Sequence, residues 1–138
     1  MKADCVAEAY SELLDVIENK KVSKRKEEII HQLLNTDESA FNIAPDVYIP
    51  HLRIKNIDDI ILSVGLSPAG IPKESGKGKI HLLFFELIPV KDSEKHIYFL
   101  SETAKLIERI SIKKLISEVM TSSQLYSKLG KAYDSIGD

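Results

Sequence analysis

Four histidines, His31, His51, His81 and His96, are the side chains of this sequence best suited to chemistry beyond packing. A neutral imidazole keeps one ring nitrogen unprotonated, so it can attack phosphorus while the other nitrogen donates to a fixed acceptor. His51 stands apart by its neighbours. It follows Ile49-Pro50, where proline's fixed φ and missing amide restrict the approach of the chain, and it precedes Leu52-Arg53 at a change from loop to strand. Such a backbone holds a ring still, and phosphoryl transfer asks for little beyond in-line approach and neutralisation of the non-bridging oxygens. His96, after Ser93-Glu94-Lys95 near the start of a helical stretch, offers a ring N–H and helix N-terminal amides for that neutralisation. A solvated first-turn histidine is the plainer reading of the same position. His81, inside an apolar run, reads as a hydrogen-bonded structural histidine or a support for His51. His31 reads as a helix-surface residue. A metal site built from His51, His81 and His96 lacks a carboxylate or cysteine spaced as a partner, so no metal site is expected.

The elements that must position these rings follow from periodicity. Val6, Tyr10, Leu13, Leu14 and Ile17 fall on one helical stripe, with Glu8, Glu12, Asp15 and Glu18 on the other face, so a first helix is expected to end near Asn19. Ser23 can cap a second helix whose buried face is Ile29, Ile30, Leu33 and Leu34, stopping around Asn35. From 36 to 50 the pattern breaks, leaving Val47-Tyr48-Ile49 as a short extended piece and a loop that presents His51. Alternation between 57 and 66 predicts a strand buried on one face, and the Lys/Gly/Ser segment 73–79 an exposed loop. Residues 80–88, almost uniformly apolar with Glu86 as the interruption, predict a central strand covered on both faces. Three helices are expected from near Ser93, Ser111 and Thr121, the last with a Thr-x-x-Gln capping box and the stripe Leu125, Leu129, Ala132 and Ile136. Helices at both ends with strands between them predict an α/β sandwich with a mixed central sheet, and one domain is expected for 138 residues.

Composition excludes several functional classes. Nineteen Lys and Arg against 21 Asp and Glu, a net charge of −2, give no global field for nucleic acid or an anionic membrane. The single Cys5 builds neither a disulfide framework nor a thiolate site, which fits a reducing compartment. No apolar signal core or membrane span is legible, so a cytoplasmic location without direct membrane insertion is expected.

Ile49-Pro50-His51 resembles the Ile-Pro-His signature of the fructose/mannitol-class enzyme IIA domain of the bacterial phosphotransferase system, its nitrogen-regulatory relatives included. The likeness extends along the chain. Gly70-Ile71 resembles the family's Gly-Ile. Gly78-Lys79-Ile80-His81-Leu82-Leu83-Phe84 is similar to its Gly-x-Val-His-Leu-Ile-Phe, and Pro89 followed by His96, Leu100, Ala104 and Leu106 is similar to its Pro…His…Leu-Ala helix. The resemblance implies that His51 takes a phosphoryl group from the histidine phosphocarrier HPr and gives it to a cysteine of enzyme IIB, or serves a regulated transporter or regulator, with His96 assisting. That would make the chain a phosphotransferase with a phosphohistidine intermediate, and, the family's donor being another protein, the resemblance implies no cofactor. His81 or a neighbouring carbonyl would set the tautomer.

Three glycines of the family's approach, Thr-Gly-Ile-Gly-x-Gly-Val-Ala-Ile-Pro-His, are replaced in Phe41-Asn42-Ile43-Ala44-Pro45-Asp46-Val47-Tyr48-Ile49-Pro50-His51. Ala44 and Asp46 are expected to reshape the loop, and Asp46 to place a negative charge near an incoming dianion. The family's phosphoryl-clamping arginine aligns with Asn35, a loss of permanent charge and of a bidentate donor, and Arg53 is the one arginine close in sequence to His51. These departures motivate a second reading, a IIA-like regulatory module that is not phosphorylated. The family's usual first strand has only Met1-Lys2-Ala3 to occupy here, so that strand is absent or the chain is a segment of a longer protein. Sugar and oligomeric state are not legible.

Overall fold

The computed structural model describes residues 1–91, 93–119 and 121–134, with only the backbone of Ser93, Lys95, Ser122 and 132–134. The chain divides into two compact units, Met1–Asp92 and Ser93–Asp138.

The first unit opens with α1 (Val6–Asp15), α2 (Lys20–Ser23) and α3 (Lys26–Leu34). The expected stripe of the first helix is buried throughout: Val6, Tyr10, Leu13 and Leu14 within α1, and Ile17 just past it. The helix stops earlier than the stripe suggests because Asn19 begins a new one. Its side-chain oxygen accepts from the amides of Lys21 (3.0 Å) and Val22 (3.2 Å), satisfying two orphan donors, so Asn19 is the cap and Ser23 is the last residue of α2. A short 3-10 turn, Glu38–Ala40, then leads into the strands.

Five strands, β1 (Asn42–Ala44), β2 (Val47–Tyr48), β3 (His51–Ile54), β4 (Ile61–Pro72) and β5 (Lys79–Pro89), form one mixed sheet. As expected from its apolar run, β5 is central and covered on both faces. Parallel β2 and β3 lie along one side of it and antiparallel β4 along the other. On one face Leu83, Phe85 and Leu87 join Tyr10, Leu13, Ile29 and Leu33 in the core under α1 and α3. Each such side chain, fully withdrawn from water, stabilises by about 1.5–3 kcal/mol. On the other face Leu82, Phe84, Glu86 and Ile88 are also buried.

The strand expected to end near Leu66 runs on to Pro72, because a bulge absorbs the Ser67-Pro68-Ala69-Gly70 stretch. Leu66 pairs with Leu82 and Ile71 with Ile80, so four residues of β4 face the single His81. Gly70 makes the bulge possible: its φ is +83°, and a Cβ there would stand 2.9 Å from Lys79 Cβ and from His81 Nε2.

The second unit holds α4 (Ser93–Arg109), α5 (Ile112–Glu118) and α6 (Ser122–Asp134), with α4 against α6 and Leu106, Leu115, Leu125 and Leu129 buried. Ser111 caps α5 by accepting from the Lys114 amide, and the Thr121 hydroxyl accepts from the Gln124 amide at 3.2 Å, as the Thr-x-x-Gln spacing predicts for the latter. Ile136 lies outside the described residues. Among the described residues no helix is long and apolar enough to cross a membrane. The architecture is α/β, a mixed sheet flanked by helices.

Candidate functional site

His51 is not on a loop. Val47 pairs with Leu82 and Tyr48 with Leu83, while His51 pairs with Glu86 and Ile54 with Pro89. Leu82 stands 35 positions after Val47, and Glu86 stands 35 after His51, so β2 and β3 are one parallel strand keeping a single register across Ile49-Pro50. Proline removes one ladder donor without shifting the pairing, and its carbonyl still accepts from the Glu86 amide at 2.8 Å. Alternation then sends Tyr48, Leu52 and Ile54 to the core under α1 and α3, and Val47, Ile49, His51 and Arg53 to the opposite face.

Within the first unit Ile49 and Phe41 hold the half-buried His51 ring. Its Nδ1 lies 2.7 Å from the carbonyl oxygen of Ile49. A carbonyl only accepts, so Nδ1 carries the proton and the neutral ring keeps its lone pair on Nε2. The buried Phe41 ring meets the imidazole edge-on, centroids 5.2 Å apart at 71°, and the Phe41 carbonyl accepts from the Ile49 amide at 2.8 Å. Phe41 thus fixes both the ring and the backbone that sets its tautomer.

The segment where glycines were replaced is a tight hairpin of β1 and β2. Among the described residues the only non-glycine with positive φ is Asn56, so the hairpin takes ordinary backbone angles and has no need of glycine. Asn42 stitches it together: its amide donates to the carbonyls of Ala44 and Val47, and its oxygen accepts from Lys73 Nζ at 3.0 Å. Asp46 does not stand near His51. It lies in the turn just before β2, five residues before His51 and, at the rise of an extended chain, roughly 16 Å away, and its carboxylate is 3.7 Å from His81 Nδ1. That separation exceeds the Debye length of about 8 Å at physiological salt, so the charge is largely screened at His51.

The other singled-out residues are placed as follows. His81 sits in the β4–β5 bulge, where its own amide and that of Leu82 both donate to the Asp46 carbonyl. It is five residues before Glu86, the register partner of His51, so it neighbours Asp46 and Gly70 while the Ile49 carbonyl orients His51. Asn35 is the C-terminal cap residue of α3, exposed, its amide 3.0 Å from His31 Nε2. Arg53 is exposed on the same sheet face as His51, one pleat further along. His96 is a half-buried residue in the first turn of α4, in the second unit. Among the described residues no cluster of three or more His, Cys, Asp or Glu could hold a metal ion.

One residue of this face escaped the sequence reading as a functional group. Glu86, register partner of His51, is fully buried (0% exposed), and neither carboxyl oxygen has a hydrogen-bond partner among the described residues. Burial pushes its carboxyl up from 4.5 to about 8. The available signal was a single acidic residue inside an otherwise apolar central strand.

Comparison with known proteins bears on the fold and the family. No curated protein matches the chain. Among solved structures, the crystal structure of nitrogen regulatory protein IIA-Ntr from Neisseria meningitidis superposes with a TM-score of 0.73 at 17% identity, covering 94% of this chain and 89% of that one. At that identity the likeness is one of fold. The family model described as "Phosphoenolpyruvate-dependent sugar phosphotransferase system, EIIA 2" matches residues 2–131, nearly the whole sequence and both of its compact units, and the chain belongs to that family.

Proposed function

We propose that this chain is a phosphoryl-accepting domain of the phosphoenolpyruvate-dependent phosphotransferase system, with His51 Nε2 as the acceptor, residues 1–138 acting as one IIA-like domain. The observation that carries the reading is the 2.7 Å contact from His51 Nδ1 to the Ile49 carbonyl, which leaves the nucleophilic lone pair on Nε2. The donor is the histidine phosphocarrier HPr. The Nε2 lone pair attacks phosphorus, the P–N bond of the donor phosphohistidine breaks, and its electron pair returns to the donor ring. Nδ1 keeps its proton throughout, and the positive charge that the phosphorylated ring takes up is stabilised by the Ile49 carbonyl. Onward transfer goes to an enzyme IIB cysteine, or the phosphorylated state acts as a signal to a transporter or regulator. Arg53, on the same sheet face, is the permanent cation best placed along the strand to neutralise phosphoryl oxygens where the family's arginine is replaced by Asn35. The family resemblance gives His96 the assisting part.

Incubating the chain with phosphoenolpyruvate, the system's first enzyme and HPr should add one acid-labile phosphoryl group, absent in His51→Ala. A protein that stays unlabelled under conditions that label an active IIA domain would refute the reading. A second reading, a regulatory module that binds a partner without being phosphorylated, is favoured by Asn35, whose amide pairs with His31. Efficient labelling of the chain excludes it.

A further inference from the structure

Glu86 occupies a position that an apolar residue would fill at no cost. On its own strand the same-face neighbours are Phe84 and Ile88, both buried. Across the sheet, β4 opposes it with Leu62, followed on the same face by Val64, and neither titrates. From β3 it is faced by His51 directly and by Arg53 one pleat further on. Within the first unit, therefore, the titratable or charged groups on Glu86's face nearest to it are one imidazole and one guanidinium. A buried carboxyl without a hydrogen-bond partner is unfavourable in either protonation state, and strongly so when ionised, so its retention beside a nucleophilic ring asks for a working reason.

Adjacent strands stand about 4.8 Å apart, and residues paired in register project side by side from the same face. We infer that Glu86 is a second titratable member of the His51 site: held as the neutral acid beside the imidazole, it presents an O–H donor to an anion carried on that ring, and on ionising it repels that anion. No proton is transferred in this arrangement. The carboxyl donates a hydrogen bond to a phosphoryl oxygen and keeps its proton, acting as a donor that a carboxylate could not be. The inference deepens the proposed function and rests on His51 as acceptor.

The test uses the full chain, phosphoramidate as a small phosphoryl donor to histidine, and two variants. Glu86→Gln keeps a donor and cannot ionise; Glu86→Leu keeps the burial and loses the donor. Labelling of the wild type should fall about tenfold between pH 7 and pH 9, as expected for a group that loses its proton near pH 8. Glu86→Gln should label within about threefold of the wild type at pH 7 without that fall, and Glu86→Leu should be slower by on the order of tenfold throughout. Independently of labelling, the ring resonances of His51 followed by NMR should show a step near pH 8 in the wild type that is absent in Glu86→Gln. Identical labelling profiles for all three proteins, or the absence of that step, overturn the inference. A protein that shows the step and takes no phosphoryl group counts against the proposed function while upholding Glu86 as the titrating partner of His51.

Discussion

The buried carboxyl of Glu86 fixes how the stability of this protein varies with pH. Its folded value is about 8 against an ordinary 4.5, raised by burial. Below pH 4.5 both folded and unfolded chains hold the proton, and the group is neutral to the equilibrium. Between pH 4.5 and about 8 the folded chain holds a proton that the unfolded one has released, so the free energy of unfolding falls by about 1.4 kcal/mol for each step of one in pH. Above pH 8 both are ionised and the loss is complete, on the order of 5 kcal/mol across the interval. Stability conferred by the neutral acid is thus fully present at low pH and lost as pH rises through the folded value. Glu86→Gln cannot ionise. Urea denaturation of both proteins at pH 5, 6, 7 and 8 should show the variant gaining on the wild type by about 4 kcal/mol over that range. For a chain of this size that corresponds to a melting-temperature difference growing by roughly 10–15 °C. Other titrating groups are common to both proteins and cancel in the comparison. Two curves that stay parallel within about 0.5 kcal/mol from pH 5 to pH 8 would refute the burial argument itself.

Gly70→Ala should destabilise by about 1–3 kcal/mol in the same assay, since the left-handed φ of +83° and a Cβ 2.9 Å from Lys79 Cβ and His81 Nε2 leave no relaxed position for a methyl group. Asn19→Ala should cost about 1 kcal/mol through the loss of two capping bonds, and Asn19→Ser should recover most of it. Equal stability of all three proteins would show that α2 does not depend on its cap.

How legible each part of the fold was depended on whether its cause is local. The stripe of α1, the helix start near Ser111, the cap at Thr121 and the central burial of β5 are written within a few residues of where they act, and periodicity and capping chemistry recover them. Asn19 and Ser23 are both good cap residues, and local chemistry does not choose between them; Val22, whose burial calls for a helical turn before Ser23, makes Asn19 the cap. Pro45, Asp46 and Pro50 all discourage strands locally, so the sequence around His51 reads as a loop. Its strand exists through parallel pairing with residues 35 positions away, which no local pattern announces. The same holds for the site. The histidine and its signature could be found by inspection, whereas the Ile49 carbonyl, the Phe41 ring and Glu86 become neighbours of the imidazole only once the sheet is assembled.

The departures from the family pattern carry unequal weight once the sheet is in view. Losing the glycines changes little at His51, because the hairpin that replaces them needs no positive φ and keeps the register of the strand, and because the charge it introduces at Asp46 faces His81. Losing the arginine is different in kind. A guanidinium supplies permanent charge and two donors at once, and on the strand of His51 the nearest one, Arg53, is exposed and stands one pleat further along. In the arrangement proposed here the two contributions are separated, with charge from the exposed Arg53 and a donor from the buried Glu86. A donor that exists only while protonated ties the site to pH in a way an arginine cannot, so replacing the arginine and burying an acid act together: the first creates the need for a donor, and the second makes that donor conditional.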